Sequence, residues 1–380
     1  MNAHSAFLEP LDVWSFRGNK LFGDAGSWGA ALMPPPPSVV AGAVRSALLS
    51  RDRVDLGAFA RGEVNHWQLG TPQAPGAFVL ADLHPARKQA GCVEPLFPLP
   101  ADLVPSDGAA PSALRPVRVH ASLRSSAPLP MLPVLAQTVR SKPGKGRWLT
   151  AGGMQRWLAG QAIEAEQVEE DSKLWLTEER VGVALEAERR RAEDGKLFSL
   201  ETVSCCPGVG LGVRVYGADL TPCVVRLGGD GRGARLEPIA IDWPEPDFEA
   251  LARAGRMRLV LTSPGIFTHG WLPNGVREAS AQDIREHGAP FELHGVRGRI
   301  VCAAVPRGEV ISGWDLARWQ PKPAQRAVPA GAVYWLELGE AASADALRKL
   351  VEFGLWSEGC EDPQRRAEGF NRCLVGAWND

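Results

Sequence analysis

Glycine and proline interrupt this chain so often, 41 and 31 times in 380 residues, that much of it has to be loop. Proline fixes φ and removes a backbone donor, and glycine weakens the interiors of helices and strands alike. Even so, 45% of the residues are hydrophobic and 23% charged, the composition of a folded globular protein rather than a disordered one. The length suits two domains. Between the interruptions lie short strands and helices, and their order sets the fold class.

The N-terminus reads as a strand over Leu11–Arg17, then a glycine-rich turn. Pro34-Pro35-Pro36-Pro37-Ser38 follows and opens a helix, with Ser38 as its N-cap. Val39/Val40, Ala43/Val44 and Ala47/Leu48 recur every four residues as one apolar face, and Arg45 lies off that face. Residues 70–133 carry many prolines and little periodicity, as long loops with short extended pieces do. Strand patterns occupy Arg180–Leu185, Leu197–Ser204 and Val213–Tyr216. Cys223–Leu227 leads through the turn Gly228–Gly233 into Ala234–Ile241. Beyond it, Asp247 caps a short helix closed by Gly255, and Ser280 with Asp283 opens another. Arg258–Thr262, Arg299–Val305 and Ala332–Leu338 read as strands, and Ser343 caps a helix that stops at Gly354. Alternating strands and short helices in both halves predict two α+β units rather than one doubly wound sheet.

Charge is the second constraint. The 42 basic and 44 acidic residues nearly cancel, and 34 of the basic ones are arginine. Their placement is uneven. Gly108–Ile163 holds no Asp or Glu but carries Arg115, Arg118, Arg124, Arg140, Lys142, Lys145, Arg147 and Arg156. Directly after it come Glu164, Glu166, Glu169, Glu170, Asp171, Glu178 and Glu179, against only Lys173 before Arg180. Codon bias accounts for arginine over lysine but not for the missing acids. A phosphate-binding surface accounts for both, because carboxylates repel the backbone and the guanidinium fork grips it. The block therefore points to nucleic acid.

Other chemistries fail on their motifs. The start lacks a basic segment followed by an apolar core, and no apolar run approaches the length of a membrane span, so a cytoplasmic protein without membrane contact is expected. None of the 7 cysteines forms a CxxC pair, and buried reduced thiols are expected. Gly208–Gly212 is followed by a strand pattern, not by the helix a pyrophosphate loop needs. Gly228–Gly233 is first a hairpin turn, and its exposed amides beside Arg232 also suit a phosphate; both readings stand. No GxxxxGK[ST], HExxH or GxSxG occurs, so neither metal nor cofactor is expected. His120, inside the acid-free stretch, leaves a metal-independent ribonuclease open.

The order of local motifs resembles one family, the third subunit of the type III-B CRISPR effector, the Cmr complex, in the RAMP superfamily. The pieces are Pro10-Leu-Asp12-Val-Trp-Ser-Phe-Arg17 with Gly18 and Phe22, then Pro34–Ser38 with Ala41, Gly42 and Arg45. Glu179-Arg180-Val-Gly182 continues to Asp194–Phe198, followed by Leu227-Gly-Gly229-Asp-Gly-Arg232 and Ser263–Phe267 with Gly270-Trp271. Gly313-Trp314, Pro321-Lys322-Pro323, Arg326–Gly331, Gly369-Phe370 and Gly376–Trp378 complete the series. Two positions depart from it. Asn19 stands where an acidic residue is common, and the closing loop reads Gly369-Phe-Asn-Arg372 where a second glycine is usual.

The resemblance implies two ferredoxin-like (RRM-like) βαββαβ RAMP domains with long loop insertions. Residues 1–222 would form the N-terminal one, with a basic insertion at about 70–163, and 223–380 the C-terminal one. It implies a non-catalytic, RNA-binding role in antiviral defence: holding the 5′ handle of the guide (cr)RNA and docking the large polymerase-like subunit at the base of the complex, beside a neighbouring RAMP backbone subunit. The residues expected on the handle are Arg17, Ser38, Arg45, Arg180, Gly229, Arg232, Lys322, Arg326 and Arg372, with Lys142, Lys145 and Arg147 adding charge. A guide-processing endoribonuclease of the same superfamily is the alternative. No aromatic RNA-stacking motif is visible, so recognition is expected through loops and a helix N-terminus.

Overall fold

The computed structural model describes residues 3–18, 28–106, 108–120, 125–136, 146–186, 188–315, 320–339 and 342–379. The chain packs as two units that interleave in sequence. One comprises Met1–Val93, Asp171–Ile241 and Ile311–Ala324; the other comprises Glu94–Glu170, Asp242–Val310 and Gln325–Asp380. The expected boundary at 222/223 falls inside the first unit, because the strand Gly233–Pro238 is laddered to Ala3–Pro10. Most of the expected insertion, from residue 94 onward, packs with the second unit.

A six-stranded sheet forms the first unit, in the order Cys223–Arg226, Gly233–Pro238, Ala3–Pro10, Val209–Tyr216, Val79–Gln89, Cys92–Pro95. Its central pairs are antiparallel. The helix Pro37–Arg51 buries Val40, Ala41, Val44, Leu48 and Leu49 and packs against Cys223–Arg226 and Val79–Gln89. Three expectations are corrected here. The first strand is Ala3–Pro10, not Leu11–Arg17. Pro10 has no amide hydrogen to extend the ladder, and beyond it Trp14 and Arg17 make only isolated bridges, to Val203 and Ala31. Helix capping differs too: Pro37 takes the first helical position, where its missing donor costs nothing, so Ser38 sits in the first turn and Pro36 is the N-cap. Val79–Gln89, expected as loop, is an 11-residue strand. It is buried on both faces, so its pattern has no alternation to read.

Leaving this sheet, Trp175–Glu186 and Arg191–Cys205 form a long antiparallel hairpin. Cys92 is exposed, against the expectation of burial; the other cysteines are buried or half-buried, and all are free thiols.

The second unit is built on an antiparallel sheet ordered Ala289–Leu293, Val296–Ala304, Val333–Leu338, Arg256–Leu261, Cys373–Ala377. Both faces are covered. Met257, Leu259, Ile300, Tyr334, Leu336 and Val375 pack beneath the helices Phe248–Ala254 and Ala344–Phe353. Val260, Val301, Val333, Trp335 and Leu374 pack on the opposite side with Phe97, Leu149 and the helix Ala151–Leu158. The caps at Asp247, Ser280 and Ser343 each accept the expected backbone amide, from Ala250, Asp283 and Ala346. Consecutive residues of Val333–Leu338 and Cys373–Ala377 thus serve opposite cores, which is why these two strands read as near-continuous apolar runs.

One buried polar staple holds the Glu94–Glu170 segment to this sheet. Asp102 is fully buried and accepts the Trp157 indole N–H at 2.9 Å and an Arg258 guanidinium N–H at 2.7 Å. Arg258 also donates to the carbonyls of Trp157 (2.8 Å) and Ala377 (2.9 Å), and its guanidinium lies 4.1 Å from the Trp157 ring centroid.

In the first unit, His84 on Val79–Gln89 is fully buried, and burial pushes its imidazole down to about 4. The folded chain therefore refuses a proton that the unfolded chain takes below about pH 6.5. Stability contributed above that pH is lost as pH falls toward 4, by up to about 3 kcal/mol. Urea unfolding across this range is expected to show the loss, and His84→Gln to flatten it; an equal slope in both proteins would refute the assignment.

Candidate nucleic-acid interface

Three expected contacts meet at one place in the first unit. The turn between Cys223–Arg226 and Gly233–Pro238 runs through Gly228, Asp230 and Gly231, all at positive φ, and is closed by the Leu227 amide donating to the Arg232 carbonyl at 2.8 Å. It is pinned to the segment after the first strand, where the Gly229 amide donates to the Ser15 carbonyl at 2.8 Å. A Cβ on Gly228 would stand 2.8 Å from that same carbonyl, so glycine is required for the approach as well as for its φ. Arg232 is ion-paired with Asp12, and Arg17 lies 3.9 Å from Asp230. Arg17, Gly229 and Arg232 thus converge, and two acids hold the guanidiniums in place.

Two donors at this turn lack an acceptor among the described residues: the buried hydroxyl of Ser15 and the Nε–H of Arg232. Buried donors are ordinarily satisfied. An anion resting on the turn would instead meet the guanidiniums of Arg17 and Arg232, whose side chains are 37% and 26% exposed. Sequence reasoning missed Asp12 and Ser15. Both lie inside the Pro10–Arg17 motif, but nothing in their spacing shows that the motif folds back onto a turn more than two hundred residues later.

The remaining expected residues are dispersed. Ser38 and Arg45 lie two turns apart on the helix Pro37–Arg51, and the Arg45 guanidinium sits 5.3 Å from the Phe78 ring centroid. Arg180 is on the long hairpin, 3.6 Å from Glu178. Lys322 belongs to a small hairpin of the first unit, its amide donating to the Gly313 carbonyl at 2.9 Å. Arg326 is exposed in the second unit. Lys142 and Lys145 fall outside the described residues.

Two expected contacts are committed elsewhere. Arg372 is buried at 6% exposure, and its guanidinium donates to the carbonyls of Val351 (3.0 Å) and Glu352 (2.7 Å). It caps the C-terminal turn of Ala344–Phe353, where cations suit the helix dipole. Arg147 is ion-paired with Glu170, its partner across the ladder Arg147–Leu149/Val168–Glu170. Arg156 pairs with Glu164 at 3.2 Å. The acidic block is thus partly an internal counterion of the basic one. Arg115 and Arg118 keep their exposure, on the ribbon Arg115–Arg118/Met131–Val134.

Among the described residues no group of three or more His, Cys, Asp or Glu is placed to hold a metal ion, and no helix is long and apolar enough to cross a membrane.

Comparison with known proteins gives the following. A family model described as CRISPR-associated protein (Cas_Cmr3) matches residues 6–378. No curated protein matches. Among solved structures, chains in two cryo-EM structures of the type III-B Cmr-beta complex are similar at 14% identity. One complex is bound to cognate target RNA, with TM-score 0.44; the other is bound to target RNA and AMPPnP, with TM-score 0.45. In both, 87% of this chain and 86% of that chain are covered. A chain of the apo Cmr-beta complex is similar at 10% identity and TM-score 0.28, over 62% of this chain and 96% of that one.

Proposed function

The chain belongs to the CRISPR-associated Cmr3 family, and from that premise we propose that it is the non-catalytic subunit that holds the 5′ handle of the guide RNA in a type III-B effector. On this reading it docks the large polymerase-like subunit and abuts a neighbouring backbone subunit. The observation that carries the RNA reading is the turn Gly228–Arg232, pinned to Ser15, with the partly exposed guanidiniums of Arg17 and Arg232 brought together at it.

Sheet order supports a ferredoxin-like arrangement in each unit. Such a βαββαβ fold places its strands in the order fourth, first, third, second. Gly233–Pro238, Ala3–Pro10, Val209–Tyr216 and Val79–Gln89 follow that order, as do Cys373–Ala377, Arg256–Leu261, Val333–Leu338 and Val296–Ala304. In the first unit the strand Cys223–Arg226 and its turn stand where the pattern has its second helix. That replacement is what puts the glycine turn at the end of the sheet.

Arg17→Ala and Arg232→Ala are each expected to weaken binding of labelled handle RNA about tenfold and to lower the salt dependence by about one counterion. Fluorescence anisotropy over a salt series measures both. Unchanged affinity in both variants would remove the turn from the site. The RNA should come back intact from the incubation. A cleavage product that disappears with His120→Ala would replace this reading by the nuclease one.

A further inference from the structure

The sheet of the first unit is open at the corner beside the glycine turn. Val224 and Arg226 alternate with the buried Val225 along the edge strand Cys223–Arg226 and so share one face. Across the ladder Arg226 stands opposite Gly233 and Val224 opposite Arg235. On the other side of Gly233, the Leu11 amide donates to its carbonyl at 3.1 Å. A Cβ on Gly233 would lie 3.1 Å from Leu11 Cδ1 and 3.8 Å from Val224 Cγ1. The two side chains therefore flank bare backbone, and solvent reaches both: Leu11 is 51% exposed and Val224 66%. They form a small apolar shelf one residue from Arg232.

Charge selects the occupant. Arg17, Arg232 and Arg235 each have a carboxylate, from Asp230, Asp12 and Glu9. Arg226 is exposed and has neither a hydrogen bond nor an ion pair among the described residues. Its partner across the ladder directly follows Arg232, and adjacent strands are about 5 Å apart, so this open cation adjoins those of the turn. An uncompensated guanidinium beside an apolar shelf suits a ligand that joins an anion to a flat, weakly polar face. A nucleotide of single-stranded RNA has both, in its phosphate and its unstacked base. Continuity with the arginines of the turn favours it over a protein face, because a strand engaged there runs directly onto the shelf.

We propose that this corner is a nucleotide subsite, in which Arg226 takes a phosphate and Leu11 and Val224, either side of Gly233, support the base. The proposal rests on the reading of the chain as an RNA-binding subunit. It adds Arg226, Leu11 and Val224 to the contacts, and it gives the glycine at 233 a reason: a side chain there would stand on the shelf.

The full-length chain is titrated by fluorescence anisotropy with labelled handle RNA, and with the same RNA made abasic at each position in turn. Arg226→Ala is expected to weaken the intact RNA about tenfold and to lower the salt dependence by about one counterion; Arg226→Lys is expected to keep that counterion. Leu11→Ser with Val224→Ser is expected to weaken it about fivefold with the salt dependence unchanged. At one abasic position the double variant should lose nothing further, because the base it would have supported is already gone. Normal binding by Arg226→Ala or by the double variant overturns the proposal. So do losses that add at every abasic position, since no base then lies on the shelf. An Arg226→Ala chain that binds RNA normally but drops a subunit from the assembled complex gives the corner to a protein contact instead. Losses in Arg17→Ala and Arg232→Ala alone would leave the RNA reading standing and remove only this subsite, whereas a wild type that binds no handle RNA removes both. All three side chains are exposed, so the variants should keep the wild-type circular dichroism, and Arg226→Lys serves as the conservative control.

Discussion

Arg258→Ala is expected to destabilise the second unit by about 3–5 kcal/mol. The variant leaves Asp102 without its cation at a position of 0% exposure, and an uncompensated buried charge is far costlier than a lost surface pair. Burial already pushes the Asp102 carboxyl upward, with Arg258 and the Trp157 indole opposing that shift. Without Arg258 the carboxyl rises further. The folded variant then takes up a proton that the unfolded chain, at an ordinary aspartate value, does not. Its defect is therefore largest at neutral pH and shrinks as pH falls. Urea unfolding followed by tryptophan fluorescence measures this directly, since Trp157 and Trp335 lie in the same core cluster.

The converse change tests the account. Asp102→Ala strands Arg258, which is 12% exposed in its side chain, and is expected to cost a similar amount without the relief in acid. Replacing both partners at once, Asp102→Leu with Arg258→Met, is expected to cost less than the two singles added together, because no charge remains to bury. Additive losses would mean that Asp102 and Arg258 stabilise the unit independently, and the staple would have to be abandoned.

Neither half of that staple was legible in the chain. Asp102 sits in a proline-rich stretch, and Arg258 leads a strand pattern where a charged residue suggests an outward face. Their meeting depends on residues 94–170 folding onto a sheet formed more than 80 positions later. Local signals fared better. The caps at Asp247, Ser280 and Ser343 and the glycine stops were readable because capping involves only neighbours a few residues apart. Strands alternating between core and solvent were readable too. Val79–Gln89 was not, because Pro85 and the buried Asp82 and His84 break an apolar run that has no polar face. For the candidate site, Arg17, Gly229 and Arg232 were picked out as single residues from their motifs. Their convergence, and the roles of Asp12 and Ser15, belong to the packing of a turn on a distant segment. Charge counting also overreached at Arg147 and Arg156, because the acids that pair with them lie downstream in sequence yet adjacent in space.

Asn371 shows how a motif departure is absorbed, and Asn371→Ala is expected to cost about 4 kcal/mol. The closing loop has asparagine where the resemblance led to the expectation of a second glycine, and Asn371 adopts φ +59°. Asparagine is among the few residues other than glycine that enter this region readily. Its side chain supplies what glycine cannot. Oδ1 accepts the Ile266 amide at 2.6 Å, and Nδ2 donates to the carbonyls of Ile266 (3.1 Å) and Leu355 (3.3 Å). Alanine would keep the unfavourable φ at a cost of about 1–2 kcal/mol and remove the side-chain partner of the Ile266 amide and carbonyl at a fully buried position, while the Leu355 carbonyl keeps its bond from Asn274. Asn371→Gly removes the strain but not the lost bonds, so it should fall between alanine and wild type. Thermal unfolding of the three proteins ranks them. If glycine proves as stable as asparagine, the side-chain bonds contribute nothing, and the loop needs only backbone freedom at this position. If alanine and glycine are equally damaging, the bonds account for the whole effect, and the left-handed conformation at Asn371 carries no cost of its own.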